Sequence, residues 1–494
     1  MQLEVILDEG AQRRWHHGLL RRLDDLPGVT VTVRLRPVTP APDARRLGHL
    51  MRLETLLHRL EPGGFALEAV HEAGFPERVR TDPAAAVLDL TEEPAQNSWT
   101  VRYDGKPGEQ ALVDAVRSGR LPQVSVTDGA GAVRASGRPG SEQPGLLTTA
   151  LADVTTGVVT LVEGAVIGRP FTAPTSDGTE ATSPAPFGTL ARRRIAGAAI
   201  RQAYRRLYRA PHWRVGWRRV HGPGVVDLGE LPSGWREVPD DGYHFYADPF
   251  LFEHEGTTFM FVEDFDHRVG KGVISVSEWG EDGPVGTPRP VLRHEVHLSY
   301  PFVLDHDGKV WMIPETSGAG TVELYRATRF PDEWELEKVL IEGLEVSDAT
   351  PFRRDGRWWL AGTVRTGGSF SDSLHLWSAP DLLGPWTPHR ANPVLIDIAS
   401  ARPAGRVVER DGRLLRPVQD GRDGYGAALA IAEVTRLDDD GFDQRVIAHL
   451  TPGTAWPGRY LHTLNSCGDL EILDGSRFSP RFALLRRLPG SPKV

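Results

Sequence analysis

Residues 247–264 read ADPFLFEHEGTTFMFVED, and the same plan returns further along the chain. The copies are YPFVLDHDGKVWMIPET (300–316), SDATPFRRDGRWWLAGT (347–363) and ARPAGRVVERDGRLLRPVQD (401–420). Each has a polar start, an apolar strand, an acid-Gly turn and a second apolar or aromatic strand, often with a polar or acidic end. Asp248, Tyr300 and Asp348 each stand eight residues before a turn glycine: Gly256, Gly308 and Gly356. The fourth copy has a different spacing to Gly412, and a weaker fifth, LHTLNSCGDLEILDG, occupies 461–475. Apolar runs broken by such turns are hairpins. Hairpins returning at about fifty residues are propeller blades, and five copies predict a five-bladed β-propeller over 212–494. WRVGWR (213–218) would supply a closing strand to the last blade.

This geometry nominates a site. Innermost strands surround the axis, so the motif starts (Asp248, Tyr300, Asp348, Arg402, His462) should converge on one face. The returning ends (Glu263 with Asp264, Glu315, Thr363, Asp420) should reach the same face. An axial funnel lined by these groups suits a polar ligand such as a sugar or sugar phosphate. Tyr246 and Tyr300 could add aromatic contact, and Trp311, inside a strand, reads as core. The bland alternative is that these polar residues only cap strands and satisfy turn amides.

The first third of the chain has a different texture. QLEVILD (2–8) reads as a buried strand, 11–26 as a helix and PGVTVTVRLRPV as a second strand. Strand, helix, strand at this spacing is a βαβ unit and implies a parallel sheet. Helical spacing at 44–60 and 108–119, a strand at 84–90, a hairpin at 122–137 and a closing helix at 145–167 complete an α/β domain over 1–167. His16 and His17 fall on the first helix and are expected to be exposed. Residues 168–190 are rich in Pro, Thr, Ser and Gly, the mark of a linker. An arginine-rich helix follows, so 168–211 reads as linker plus basic helix. That helix is either a solvated connector or, through 188–208, a contact with an anionic membrane surface.

Composition narrows the function classes. The chain has 494 residues, 40% hydrophobic and 25% charged, with a formal net charge of -9. This is a globular mix, too long for one core, with no general attraction to nucleic acid. One cysteine, Cys467, excludes an internal disulfide and a cysteine zinc cluster. No basic n-region precedes an apolar run, and no stretch approaches 18 continuous apolar residues, so a cytoplasmic location is the expectation. P-loop, HExxH and GxSxG patterns are absent from the sequence.

The motifs YADPF, FVED, YPFV with IPET, SDAT, LGPWTPH, NPV, ARPAG and RPVQD occur in this order. Over roughly 212–480 they resemble the N-terminal β-propeller region of the glucosamine inositolphosphorylceramide transferase family. In plant members the glycosyltransferase module is a separate, later domain, so the resemblance does not by itself bring that activity. More widely, the pattern resembles the five-bladed furanosidase fold of glycoside hydrolase family 43. That resemblance implies that Asp248 is the base and that Asp348 is the second Asp, which tunes the acid. The family's Glu acid at the start of blade four has no counterpart, because Ala401 stands there. His462 resembles a blade-five histidine beside an axial metal ion or water; no metal ligands and no cofactor are assigned.

Three readings stay open. Glu315 or Glu263 takes the acid role; or a phosphate leaving group is met by Arg402; or the propeller binds glycan without catalysis. The N-terminal domain resembles, in architecture, a Rossmann-like formyltransferase fold, which implies formyl or acyl transfer as an alternative activity. It has no Asn-x-His pair with a suitably placed Asp, and LDEGAQRRW replaces a dinucleotide fingerprint.

Overall fold

The computed structural model describes residues 1–38, 43–61, 63–68, 86–169, 171, 183–456, 458–476 and 478–481. Most of the linker read at 168–190 lies outside the described residues, as does the start of the strand read at 84–90.

The N-terminal sheet runs β2 (Thr30–Arg36), β1 (Gln2–Asp8), β3 (Ala86–Asp89), β4 (Trp99–Tyr103), β6 (Val124–Thr127), β7 (Val133–Gly137), with β5 (Lys106–Pro107) paired to β4. β1 pairs parallel with β2 and β3, and β3 with β4. β6 pairs antiparallel with β4, and β7 antiparallel with β6, because the tight turn anchored on Asp128 between β6 and β7 leaves no room for a crossover there. A mixed sheet of this order occurs in several α/β folds and does not identify a formyltransferase. Around it lie α1 (Arg14–Asp24), α2 (Ala44–His58), α3 (Glu109–Arg117) and α4 (Leu147–Ile167). α4 is long and apolar enough to cross a membrane by length and composition, which the reading by continuous apolar runs missed. Its Ala150, Leu151, Val154, Val158, Leu161 and Val162 are instead the centre of this domain's core. His16 and His17 correct the expectation of exposure: each is 4% exposed. Residues 63–68 fold over the first turn of α1, bonding the amides of Arg14 and Trp15 and the ring of His17.

From Trp213 the chain forms five sheets. Blade one is built on His244–His254, Thr257–Asp266 and Lys271–Gly280, with Arg289–Leu292 outside. Blade two comprises Ser299–His306, Lys309–Thr316, Thr321–Arg329 and Glu333–Glu342. Blade three has Val346–Arg354, Arg357–Val364 and Ser373–Ala379, and blade four has Val408–Arg410, Arg413–Asp420, Ala428–Leu437 and Phe442–Leu450. In blade five, Leu464–Cys467 and Leu470–Ser476 pair with Trp213–Arg219 from the start of the propeller, so the ring closes by joining its two ends.

The two halves are stitched together at blade three. Just past β7, Arg138 exchanges backbone bonds with Ile396 and Ile398 (2.7 and 2.9 Å), and both isoleucines join the N-terminal core. The Gly140 amide donates to the Asp372 carboxyl at 2.6 Å. Glu142 accepts from Ser369 Oγ at 2.6 Å and from the Phe370 amide at 3.3 Å.

Candidate active site at the propeller axis

The inner strands of blades one to three share a device. Asp248, Tyr300 and Asp348 have φ of +47°, +45° and +53°, each inside a register shift between the first and second strands. A bulge at one repeated position breaks the alternation of the strand and re-aims a side chain. Left-handed backbone in a non-glycine residue costs roughly 1–2 kcal/mol, so it persists only where neighbours hold it. Here carboxylates hold it. The Asp248 amide donates to Asp474 (2.9 Å), the Tyr300 amide to Asp248 (3.2 Å) and the Asp348 amide to Glu315 (3.0 Å).

Asp248 is 2% exposed. Its Oδ1 accepts from Thr463 Oγ1 at 2.6 Å and His462 Nδ1 at 2.9 Å. Burial alone would raise this carboxyl, but the His462 and Arg402 charges and these donors hold it below the usual range. Burial also works against a charged imidazole at His462; Tyr425 and the carboxylates of Asp248 and Asp474 outweigh it and hold His462 well above the ordinary histidine value. His462 Nε2 is buried without a hydrogen-bond partner among the described residues. It is the free donor of the cluster.

Glu263 is the opposite case. Burial and then the Asp248 charge push its carboxyl well above the usual range, which favours the protonated form. Its neighbour is His297, 3.3 Å away, with 43% of its side chain exposed. Glu315 accepts from Ser317 Oγ at 2.7 Å in addition to the Asp348 amide. Glu263, Glu315 and His297 therefore sit at the solvent side of a floor made by Asp248, His462 and Asp474.

Arg402 does not reach outward. It clamps Asp348 through Nε (2.6 Å) and Nη2 (3.3 Å), gives Nη1 to Ser371 (3.3 Å), and lies 5.1 Å from the ring centroids of both Phe370 and Tyr425. Burial, helped by the Glu315 and Asp248 charges, raises Asp348 to about 7 against this guanidinium; the Gln419 amide also donates to it (2.9 Å). Tyr300 is likewise committed: it is 0% exposed, and its hydroxyl accepts from the Gly405 amide (2.8 Å) and pairs with Thr350 (2.9 Å). Two residues expected at the ligand are elsewhere. Tyr246 lies in the core between blades five and one with Val215, Trp217 and Leu251. Asp420 faces Arg422 and His449, because neighbours on a strand point to opposite sides, and it is Gln419 that enters the cluster.

The sequence reading also missed Asp474, Thr463, Tyr425, Phe370 and His297. Asp474 lies within the quoted fifth copy, on the returning strand where Glu315 stands in blade two. The others come from connections whose convergence only ring closure creates. One ligand atom each of Asp248, His462 and Asp474 lies within 4.8 Å of the others, a donor set of the kind that holds a small cation. The fit is poor, because His462 Nδ1, the atom facing both carboxylates, already bonds Asp248 as a charged donor. The imidazolium supplies the positive charge there.

Residues 237–468 match the family described as glucosamine inositolphosphorylceramide transferase 1, N-terminal. The chain is similar to glucosamine inositolphosphorylceramide transferase 1 of Oryza sativa subsp. japonica, 34% identical over 255 residues, which is 48% of this chain and 34% of the relative. The Arabidopsis thaliana protein of that name is 33% identical over 249 residues, 47% of this chain and 32% of its own length. The matching segment thus spans about a third of these relatives. Among solved structures, the chain is similar to Zg3597, a family 117 glycoside hydrolase of Zobellia galactanivorans (14% identity, 53% of this chain, 90% of that chain, TM-score 0.36). It is also similar to the levansucrase of Gluconacetobacter diazotrophicus (14% identity, 47% and 71%, TM-score 0.35). These scores decide nothing further; the five blades rest on the strand pairing. A carbohydrate-related protein is what the sequence relatives support.

Proposed function

We propose that this protein is a carbohydrate-active enzyme that breaks or transfers a glycosidic bond at its propeller axis. The observation that carries the reading is a pair of carboxyl groups in one cluster driven in opposite directions, Asp248 held below the usual carboxylate range by His462 and its donors and Glu263 pushed above it by burial and the Asp248 charge. Such a split assigns acid and base roles. Glu263 would protonate the leaving oxygen. Asp248 would take the proton of the attacking water or acceptor hydroxyl, whose oxygen bonds the anomeric carbon. His462 Nε2 would donate to a sugar or phosphate oxygen. Asp348 and Arg402 hold the frame, and Glu315 holds Asp348. The names of the relatives point to an amino sugar joined to inositol phosphate as the substrate class.

The test is incubation of the full chain with soluble glucosaminyl-inositol phosphate, read by calorimetry and by chromatography of products. Release or transfer of the sugar, lost in Glu263→Gln with binding retained, supports the reading. Neither binding nor turnover refutes it.

A second reading, glycan binding without catalysis, has one observation in its favour. Where blade four would offer a third carboxyl, Ala401 and the Asp348-bound Arg402 stand instead. Binding without products would select it. Formyl or acyl transfer by residues 1–167 has less behind it. A cleft of about 1180 Å³ opens beyond β1 and β3, between Asp8, Arg13, His16, Glu92 and Glu109. Its carboxylates already build the domain: Glu92 accepts the Gln110 amide (3.0 Å), and Glu109 accepts Arg13 (2.5 Å) and Trp15 (3.0 Å).

A further inference from the structure

The basic helix α5 (Phe187–Leu207) joins the two halves and is barely covered: Leu190 is its one buried residue. Its first turns pack on the N-terminal domain, where Phe187 lies over Arg117 (4.0 Å) and Arg194 pairs with Glu54 (2.6 Å). Beyond them the helix turns an apolar stripe to solvent. Ile195, Ile200 and Leu207 are 54%, 69% and 41% exposed, with Ala196, Ala199 and Ala203 between them. At 3.6 residues per turn these positions spread over about 140° of the helix circumference, a broad face.

Arginines interrupt and border that face: Arg192 and Arg206 fall within it and Arg193 at its edge. Six arginines and no acidic residue lie between Phe187 and Leu207. Apart from Arg194, none of them (Arg192, Arg193, Arg201, Arg205, Arg206) pairs with a carboxylate among the described residues. This differs from the propeller rim, where exposed arginines such as Arg413 and Arg436 pair with Glu433 and Asp438. A solvated connector has no use for three large aliphatic side chains facing water among exposed arginines. An interface between acyl chains and anionic headgroups accommodates both.

We propose that α5 docks the protein peripherally on an anionic lipid surface, its Ile195–Ile200–Leu207 stripe entering the interface and its arginines pairing with headgroup phosphates. The chain leaving the helix meets the first blade of the propeller: Arg209 lies 4.5 Å from the ring centroid of Tyr243. The same blade carries Glu263, reached through the Phe245–Phe265–His297 ring series. Docking would therefore bring headgroups to the blade-one side of the propeller; their approach to the cluster rests on the enzymatic reading, the docking itself does not.

The test is co-sedimentation of the full chain with phosphatidylcholine vesicles and with vesicles that also contain phosphatidylserine, at low and high salt. Binding should require the anionic lipid and weaken with salt. Each arginine near such a surface contributes about a fivefold factor, so Arg192→Gln, Arg193→Gln and Arg206→Gln together should cut partitioning on the order of a hundredfold. Ile195→Asp with Ile200→Asp should abolish it, while Arg413→Gln with Arg436→Gln should leave it unchanged. All these sites are at the surface, so unaltered thermal unfolding shows that the variants are folded. Equal binding to neutral vesicles, no binding at all, or insensitivity to the α5 substitutions would overturn the proposal. So would a dimer in ultracentrifugation that the isoleucine substitutions dissociate, since the stripe would then meet a second copy of the chain. A variant that loses vesicles but still processes the soluble headgroup would separate the failure of docking from the failure of catalysis.

Discussion

The seam between the two halves should be pH-sensitive through Asp372. This carboxyl is 6% exposed, accepts the Gly140 amide at 2.6 Å, and has its pKa raised to about 7, chiefly by burial and further by Glu142 and Asp153. Asp153 beside it is raised to about 6, again mainly by burial. A raised acid holds its proton in the folded state after the unfolded chain has released it. Stability therefore falls as pH rises from about 4 to about 7 and levels off above that. A carboxyl moved from 3.8 to about 7 corresponds to roughly 4 kcal/mol once it is ionised in place, an upper figure for a seam that can relax. Asp372→Asn keeps a carbonyl oxygen for Gly140 and removes the charge. It should match wild type near pH 4 and exceed it progressively toward pH 8. Scanning fluorimetry across that range is the assay, with a gap of several degrees expected at the alkaline end. Parallel profiles for the two proteins would refute the reasoning. The consequence for the site is direct, because the 369–372 loop carries Phe370, which lies over Arg402, and Ser371, which bonds it.

Other outcomes follow from the cluster. Arg402→Met leaves Asp348 buried with only Gln419 and should cost about 3–5 kcal/mol in urea unfolding, whereas a pure ligand contact would cost almost nothing. Tyr300→Phe strands the Gly405 amide and should cost about 1–3 kcal/mol without moving the pH profile of turnover. Glu263→Gln should lower turnover by 10²–10⁴-fold and remove the alkaline limb of its pH profile, since the raised acid is what that limb titrates. Asp248→Asn and Asp474→Asn share His462 and one amide bond, so their stability losses should be non-additive in a double-mutant cycle; simple addition would show that the two carboxylates act independently.

Much of the propeller was legible because its signal is local. An acid-Gly turn fixes each hairpin, and a constant eight residues from Asp248, Tyr300 and Asp348 to that turn place three side chains at one level. The errors arise where one residue of register or a distant segment decides. Seven residues past the turn glycine stand Glu263, Glu315 and Gln419; choosing Asp420 for its charge moved the assignment to the other side of the strand. Tyr246 lies two positions before the bulge at Asp248 and follows the ordinary alternation into the core. His16 and His17 look like polar positions of a surface helix until residues 63–68 cover them, a contact no helical periodicity encodes. Phe370 and Tyr425 become neighbours of Arg402 only when blades three and four close and the N-terminal loop at 140–142 fixes the first of them.

The internal pairing of the cluster explains why a cationic residue can stand where a carboxyl would otherwise begin blade four. Three left-handed residues at the axis need their amides held, and the acids that hold two of them, Asp474 and Glu315, come from the returning strands. A ring of buried acids cannot all ionise, so the set survives only with compensation: His462 for Asp248 and Asp474, Arg402 for Asp348. Each cation is thereby spent on the frame. Among the described residues Glu263 is ion-paired only with His297, whose own charge burial disfavours. Its carboxyl is pushed upward accordingly. In the proposed reading the acid therefore falls where the frame has no cation to spare, on the returning strand of blade one, and its place would follow from charge balance around the axis more than from position in the repeat.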